Sequence, residues 1–396
     1  MRSLKGIVLF LACAILSTLP SRAPAEESNP MLDSLRECAG PVGTTTPPKF
    51  PHNPAVNCPD EVAWDLFIKL NHPVTAGQRG VPDSTKKLGD PGETVWESWK
   101  LRAEIFGENG CRPSDWETTP APADAAPRLA EPASKAVRVL QELLPRDQAA
   151  LLFDPKRPTA ETRLNKAAFD FIVSNELFNV EGQLAFAEIG RTIDFPPEAR
   201  EIKSAWKVLS SHDNRDRYHS VDFDGKVFGL IALHIITKDL PQWFWSTFEH
   251  VDNPDIDVRV GERFVDRHTM GGENLPAAIK GTKWENYRLK GTQTSFVDLM
   301  EEPTILANAI IEQGFQGSSS CVSCHARAAI NRAGEKPPVF EKVVVRFLDP
   351  TSNPPSKFYA FFTGSTGAPD AKLLENFTQL DFMWSMASAR PKGQCP

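Results

Sequence analysis

Apolar residues recur at three- and four-residue intervals through much of the first half of the chain, the spacing that lines one face of a helix. This pattern predicts helices over Asp60–Asn71, Thr94–Phe106, Ser134–Leu144 and Ala160–Phe178. Val95, Trp96, Trp99, Leu101 and Ile105 share one broad face of the second, and Leu164, Ala168, Phe171 and Ile172 one face of the fourth. Near residue 190 the pattern changes. Val221-Asp222-Phe223, the turn dipeptide Asp224-Gly225 and the run Val227–Ile236 together predict a β-hairpin. Lys238-Asp239 and Pro241 mark a further turn before a strand in Gln242–Val251, and Glu201–Leu209 reads as either an extra strand or a helix. Beyond these, Thr304–Gln313 and Ala371–Ala387 have helical spacing, with strands in Val339–Leu348 and Lys357–Phe362. The expected class is α+β: a helical N-terminal half, an antiparallel sheet in the middle and a mostly helical C-terminal segment.

The first 25 residues stand apart. Arg2 and Lys5 precede the apolar run from Gly6 to Leu19, and Ala23-Pro24-Ala25 offers small residues for cleavage, the pattern of a secretory signal peptide. An uncleaved anchor, or a lipid on Cys13, are the alternatives. Proline-rich stretches at Pro41–Pro59 and Arg112–Pro132 read as surface loops or linkers. The expected division is therefore a signal peptide at 1–25, a helical and proline-rich region at 26–132, a central α+β region at 133–298 and a C-terminal region at 299–396. Residues 1–25 carry three basic residues, Arg2, Lys5 and Arg22, and no acid, so their removal takes the net charge from −7 to about −10. That balance argues against nucleic acid as a partner and favours basic proteins. No segment after the signal approaches the roughly 20 apolar residues of a transmembrane helix.

The chemistry concentrates in Cys321-Val322-Ser323-Cys324-His325. Covalent attachment of a c-type haem needs two thiols for the porphyrin vinyl groups and one imidazole for the iron. Positions i, i+3 and i+4 share a face of a helical turn, so Cys321, Cys324 and His325 can converge on one ring. A zinc clip would want a second cysteine pair, and none exists. A redox dithiol needs no adjacent histidine. The expected cofactor is one haem c, with Cys321 and Cys324 forming the thioethers and His325 the proximal iron ligand, in a periplasmic or otherwise exported protein. Apart from Cys13, this leaves Cys38, Cys58, Cys111 and Cys395, either paired, with Cys38–Cys58 one choice, or free.

The sixth iron ligand separates an electron carrier from an enzyme. Met383 and Met386 are candidates, with core packing as their alternative reading; Met270 and Met300 precede the motif. His234, inside an apolar run, and His250, beside Glu249, read as core residues, a ligand or an acid/base pair. His52, His72, His212, His219 and His268 lie in polar or turn-like sequence. The aromatic block Trp243, Phe244, Trp245 and Phe248 suits either a haem wall or a sheet core, and Asp252 to Asp257 reads as a solvated turn.

With its motif and export signal the chain resembles exported bacterial mono-haem c-type cytochromes. Val95-Trp96-Glu97-Ser98-Trp99-Lys100 and Leu233 to Asn253 are similar to segments of large bacterial cytochrome c family proteins. The small cytochrome c fold usually has a spaced glycine and aromatic before the motif and a Gly-Pro-x-Leu turn after it. Here Gly314 and Phe315 are adjacent, and Ala326 to Lys336 lacks the turn. Phe195-Pro196-Pro197 leading to Lys203-Ser204-Ala205-Trp206-Lys207 resembles the lysine-containing strand of the cytochrome P460 and beta-type cytochrome c-prime group. That resemblance implies an antiparallel sheet, an open iron position and Lys203 near the haem. The expected function is single-electron transfer with a redox partner protein. The alternatives are a haem enzyme with an open sixth position, acting on peroxide, a nitrogen oxide or an organic substrate, and a haem-based sensor.

Overall fold

The β-branched and apolar run that follows Gly225 becomes the longest strand and the axis of the molecule. The computed structural model describes residues 53–118, 131–132, 159–223, 225–253, 256–257, 262–263, 275–297, 304–312, 319–337, 368–369 and 371–395. The expected signal peptide, the Ser134–Leu144 helix, the Val339–Leu348 and Lys357–Phe362 strands, Met270 and Met300 lie outside the described residues.

Two short helices come first: α1 (Pro54–Asn57) and α2 (Pro59–Leu70). Proline opens α2, where its missing N–H costs nothing, with Asp60 and Glu61 in the first turn and Lys69 in the last, each favourable to the helix dipole. Next come β1 (Lys100–Leu101), α3 (Arg102–Ile105), β2 (Glu131–Pro132) and β3 (Thr159–Leu164). α4 (Lys166–Ser174) and α5 (Val180–Glu188) follow, capped by Asn165 and Asn179, whose side chains accept from the amides of Ala168 and Gly182. The rest is mainly strand: β4 (Arg200–Val208), β5 (Ser220–Phe223), β6 (Lys226–Thr237), β7 (Phe244–His250), the small hairpin β8 (Ile256–Asp257) and β9 (Glu262–Arg263), and β10 (Tyr287–Gln293). Last come α6 (Cys321–His325), β11 (Ala329–Ile330) and β12 (Thr378–Gln379).

Eight strands form one antiparallel sheet in the order β1-β3-β4-β6-β7-β10, with β2 added to β3 and β5 to β6. The predicted hairpin is present as β5 and β6, with Gly225 at φ +69° in the turn where a side chain would be strained. Glu201–Leu209 resolves as strand β4, paired with β6 from Arg200↔Thr237 to Val208↔Phe228.

The expected helical N-terminal half and mostly helical C-terminal segment are overturned: among the described residues the protein is sheet-rich, and the α-helices are short and, apart from α6, precede residue 190. Between Ala160 and Phe178 the first five residues belong to β3, beside β4, and the helix starts only after the Asn165 cap. Thr94–Phe106 is a turn, two strand residues and one helical turn, because its apolar side chains are met from several sides; Trp96, for example, donates from Nε1 to Asn71 Oδ1 at 2.9 Å. In the C-terminal segment the longest described helix is the five-residue α6. Ala371–Ala387 is broken into 3₁₀ turns around β12, which pairs with β11 immediately after the cysteine motif, and Thr304–312 is also non-helical. Helical spacing was present there, but Leu374, Leu380, Met383 and Met386 are buried from separate turns rather than from one helix face.

The sheet has two differently used faces. Phe248 on one face meets Trp64 and Phe67 of α2, with ring centroids 5.0 and 4.4 Å apart. On the other, strand alternation and register place Glu201, Lys203, His234, Trp245, Thr247 and Gln293. One hydrophobic core runs from Ala55 to Ala387 and draws on all three of the expected mature regions. Among the described residues no helix is long and apolar enough to cross a membrane.

Cys111 and Cys395 form a disulfide across a sequence separation of 284, and Cys58 is disulfide-bonded to a cysteine outside the described residues. Replacing Cys111 and Cys395 by serine should lower the unfolding free energy by about 2–4 kcal/mol, since the bond restricts the unfolded chain. The thermal midpoint checks this; a value equal to wild type would mean the bond adds nothing.

Candidate functional site

The site is assembled where α6 crosses the second face of the sheet. Ser320 caps α6 through its side chain, which accepts from the amide of Ser323 at 3.3 Å, and Cys324 N donates to Ser320 O at 2.9 Å. Gln293, the last residue of β10, ties this turn to the sheet. Its Oε1 accepts from Val322 N at 3.0 Å, and its Nε2 donates to Ser320 Oγ at 3.0 Å. Thr304 also accepts from Gln293 Nε2. The turn is thus held at its N-terminal end while Cys321, Cys324 and His325 occupy one side of it.

His325 is fixed from two directions. Its Nδ1 lies 2.7 Å from the carbonyl oxygen of Phe382, and Trp245 of β7 packs on its ring with centroids 4.4 Å apart. Nδ1 facing a carbonyl must carry the proton, which leaves Nε2 with a lone pair. Among the described residues no hydrogen bond reaches Nε2. Burial holds the imidazole pKa down at about 3, with the Lys203 charge adding to the effect, so the ring is neutral at ordinary pH. Yet Cys324 and His325 keep part of their surface accessible, as side chains lining a recess do.

The thiols fit attachment better than redox exchange. Burial pushes Cys321 well above the usual thiol range and Cys324 to about 11. Reactive dithiols have the opposite tendency. Both cysteines are free, whereas the other described cysteines are disulfide-bonded. Among the described residues no group of three or more His, Cys, Asp or Glu gathers as metal-ion ligands, which counts against a zinc clip but not against a haem. The donor set suits a haem: two thiols and one neutral imidazole on a single helical turn, with the imidazole's outer nitrogen anchored.

A polar group opposes the motif. Lys203 on β4 and His234 on β6 are directly paired across the sheet, and His234 Nε2 lies 3.5 Å from Glu312 Oε2. Burial pushes the Glu312 carboxyl up, but His234, Lys203 and the Asn308 amide together outweigh it, and the net shift is downward. The charges of Lys203 and Glu312 act on both thiols and on His325. Residues 304–312 are held across this face by Asn308 Nδ2, which donates to Thr247 Oγ1 and Phe248 O at 3.1 Å each.

The sixth-ligand candidates lie elsewhere in the packing. Met383 and Met386 are 2% and 0% exposed within the core, and they follow Phe382, the residue whose carbonyl backs the Nδ1 edge of His325. Iron would bind at the opposite edge of the ring. His250 is stacked on Tyr218 with centroids 3.8 Å apart and accepts from Asp252 N through Nδ1. Glu249 points to the other side of β7 and is paired with Arg288 at 2.7 Å and Lys290 at 3.1 Å, so the two do not form an acid/base pair. His219 is buried on the far face, 2.8 Å from Glu97.

Several site residues carried no local signal in sequence. Phe382 acts through a backbone carbonyl, and Trp384, which donates from Nε1 to Cys324 O at 3.0 Å, read only as helix core. Asp381 and Phe382 have φ of +47° and +63°, a left-handed pair without glycine. Each costs roughly 1–2 kcal/mol and persists only where contacts over-determine it. Neither a family model, nor a curated protein, nor a solved structure matches this chain.

Proposed function

We propose that this is an exported protein carrying one c-type haem bound through Cys321 and Cys324, with His325 as the proximal iron ligand and the far side of the iron open to a small molecule. The observation that carries the reading is the state of His325: neutral, anchored through Nδ1, free at Nε2, and on the same helical turn as two unpaired thiols. The disulfides elsewhere support an oxidising compartment. When bound, the haem would supply one-electron chemistry and a coordination position.

The protein's own residues then divide the work. Phe382 O and Trp245 hold the imidazole in one orientation. His234 and Glu312 lie 3.5 Å apart as a buried pair, with His234 Nε2 lacking a hydrogen-bond partner among the described residues and so open to one from a bound ligand, and Lys203 offers a cation for a polar or anionic ligand. This constellation, with Met383 and Met386 buried in the core and Met383 directly following the residue that anchors the Nδ1 edge, favours an enzyme or ligand-binding role on peroxide or a nitrogen oxide over a carrier capped by methionine. The test is the absorption spectrum of the ferrous protein with and without carbon monoxide. Immediate binding is expected; a spectrum unmoved by the gas would indicate a six-coordinate electron carrier.

A further inference from the structure

We propose that Lys238 and Asp381 are positioning residues that set the direction of the Phe382 carbonyl and, through it, the donor strength of His325. The inference rests on the haem reading above. Lys238 follows β6 and is 7% exposed; its Nζ lies 2.6 Å from Asp381 Oδ1 and 3.0 Å from Asp194 Oδ1, and donates to Pro241 O at 3.1 Å. The other carboxylate oxygen of Asp381 accepts from Phe195 N at 2.8 Å. Asp381 is therefore gripped at both oxygens from two separate segments.

The grip falls where the backbone is least able to hold itself. Leu380 N donates to Ala328 O at 2.8 Å, which docks the chain beside α6, and the next two residues are both left-handed. Without a restraint this pair would relax to ordinary dihedrals and swing the Phe382 carbonyl away from Nδ1. Trp243, under Lys238 Nζ at 5.7 Å, is itself left-handed at φ +64°. Two left-handed residues, Asp381 and Trp243, thus lie against one lysine, and the third, Phe382, follows Asp381 directly and presents its carbonyl to His325.

The chemical consequence is specific. A carbonyl held against Nδ1–H raises the basicity of Nε2 and stabilises the oxidised metal, and loss of such supporting partners usually costs 10- to 100-fold in metal affinity or activity. The experiment uses the haem-loaded full chain. Lys238→Met with Asp381→Asn removes both charges, so neither is left buried alone, and Lys238→Arg keeps the cation. With covalent haem checked on a denaturing gel and folding by circular dichroism, the double variant should show a more positive midpoint potential and a lower iron–imidazole stretching frequency in the ferrous state. Lys238→Arg should return both toward wild type. A folded double variant with unchanged potential and stretch would overturn the proposal, as would unfolding of both variants, which would make the pair a stability element. Absence of covalent haem from the wild type would instead refute the haem reading.

Discussion

On the haem reading, replacing Cys321 and Cys324 together by alanine should abolish covalent haem, so that the denatured protein no longer stains for haem on a gel. The effect is total rather than graded because no other free thiol is present among the described residues. The backbone of α6 is secured independently of the thiols, by Gln293 and the Ser320 cap, so the variant should keep its fold and a native circular dichroism spectrum. Haem retained through denaturation would sink the assignment. His325→Ala is the companion change: on the same reading the thioethers would remain while the iron would lose its neutral imidazole, so the ferrous spectrum should shift while the gel still stains.

The second large effect concerns stability, on the face of the sheet away from the motif. His219→Leu should cost about 3–5 kcal/mol at pH 7, because it leaves the Glu97 carboxylate buried without its partner. Glu97 and His219 are 2.8 Å apart with side chains 6% and 2% exposed, and Trp284 stacks on the His219 ring with centroids 4.9 Å apart. Burial alone would raise the Glu97 pKa; the imidazole and the hydrogen bonds from Thr94 together override it and hold the carboxyl at about 2, against an ordinary value of 4.5. A depressed carboxylate stabilises the fold fully above its unfolded value and loses that contribution as pH falls toward its folded one. The gap in thermal midpoint between wild type and His219→Leu should therefore be widest near neutrality and shrink from about pH 4.5 toward pH 2. A gap that stays constant over that range would show that the His219–Glu97 contact is not its cause.

Much of the fold was legible where pattern and turn chemistry agreed. Asp224-Gly225 between two apolar runs specified the hairpin, because strand alternation and a turn residue at positive φ are both local properties. Asp60–Asn71 was legible as a helix because its single buried stripe meets one surface. Where a segment packs on several surfaces, periodicity misleads: Ala371–Ala387 has helical spacing, yet Leu380, Met383 and Met386 bury from turns. His219 shows the same limit for polar residues. Its neighbours read as turn, but Glu97, more than a hundred residues away, decides its state.

The motif itself needed no structure: Cys321, Cys324 and His325 are brought together by the pitch of one helical turn, so their convergence is written in their spacing. Lys203 near the haem was an expectation from resemblance; the register of β4 on β6 pairs Lys203 with His234, and its charge acts on both thiols and on His325. Glu312, Trp245, Gln293 and the Phe382 carbonyl come from separate stretches of chain and meet only when the sheet is complete. The sequence alone therefore determined which residues share the helical turn proposed to hold a haem. The tertiary structure decided what surrounds them, because neutral histidine, protonated thiols and a held carbonyl depend on burial and on strand partners that no local pattern encodes.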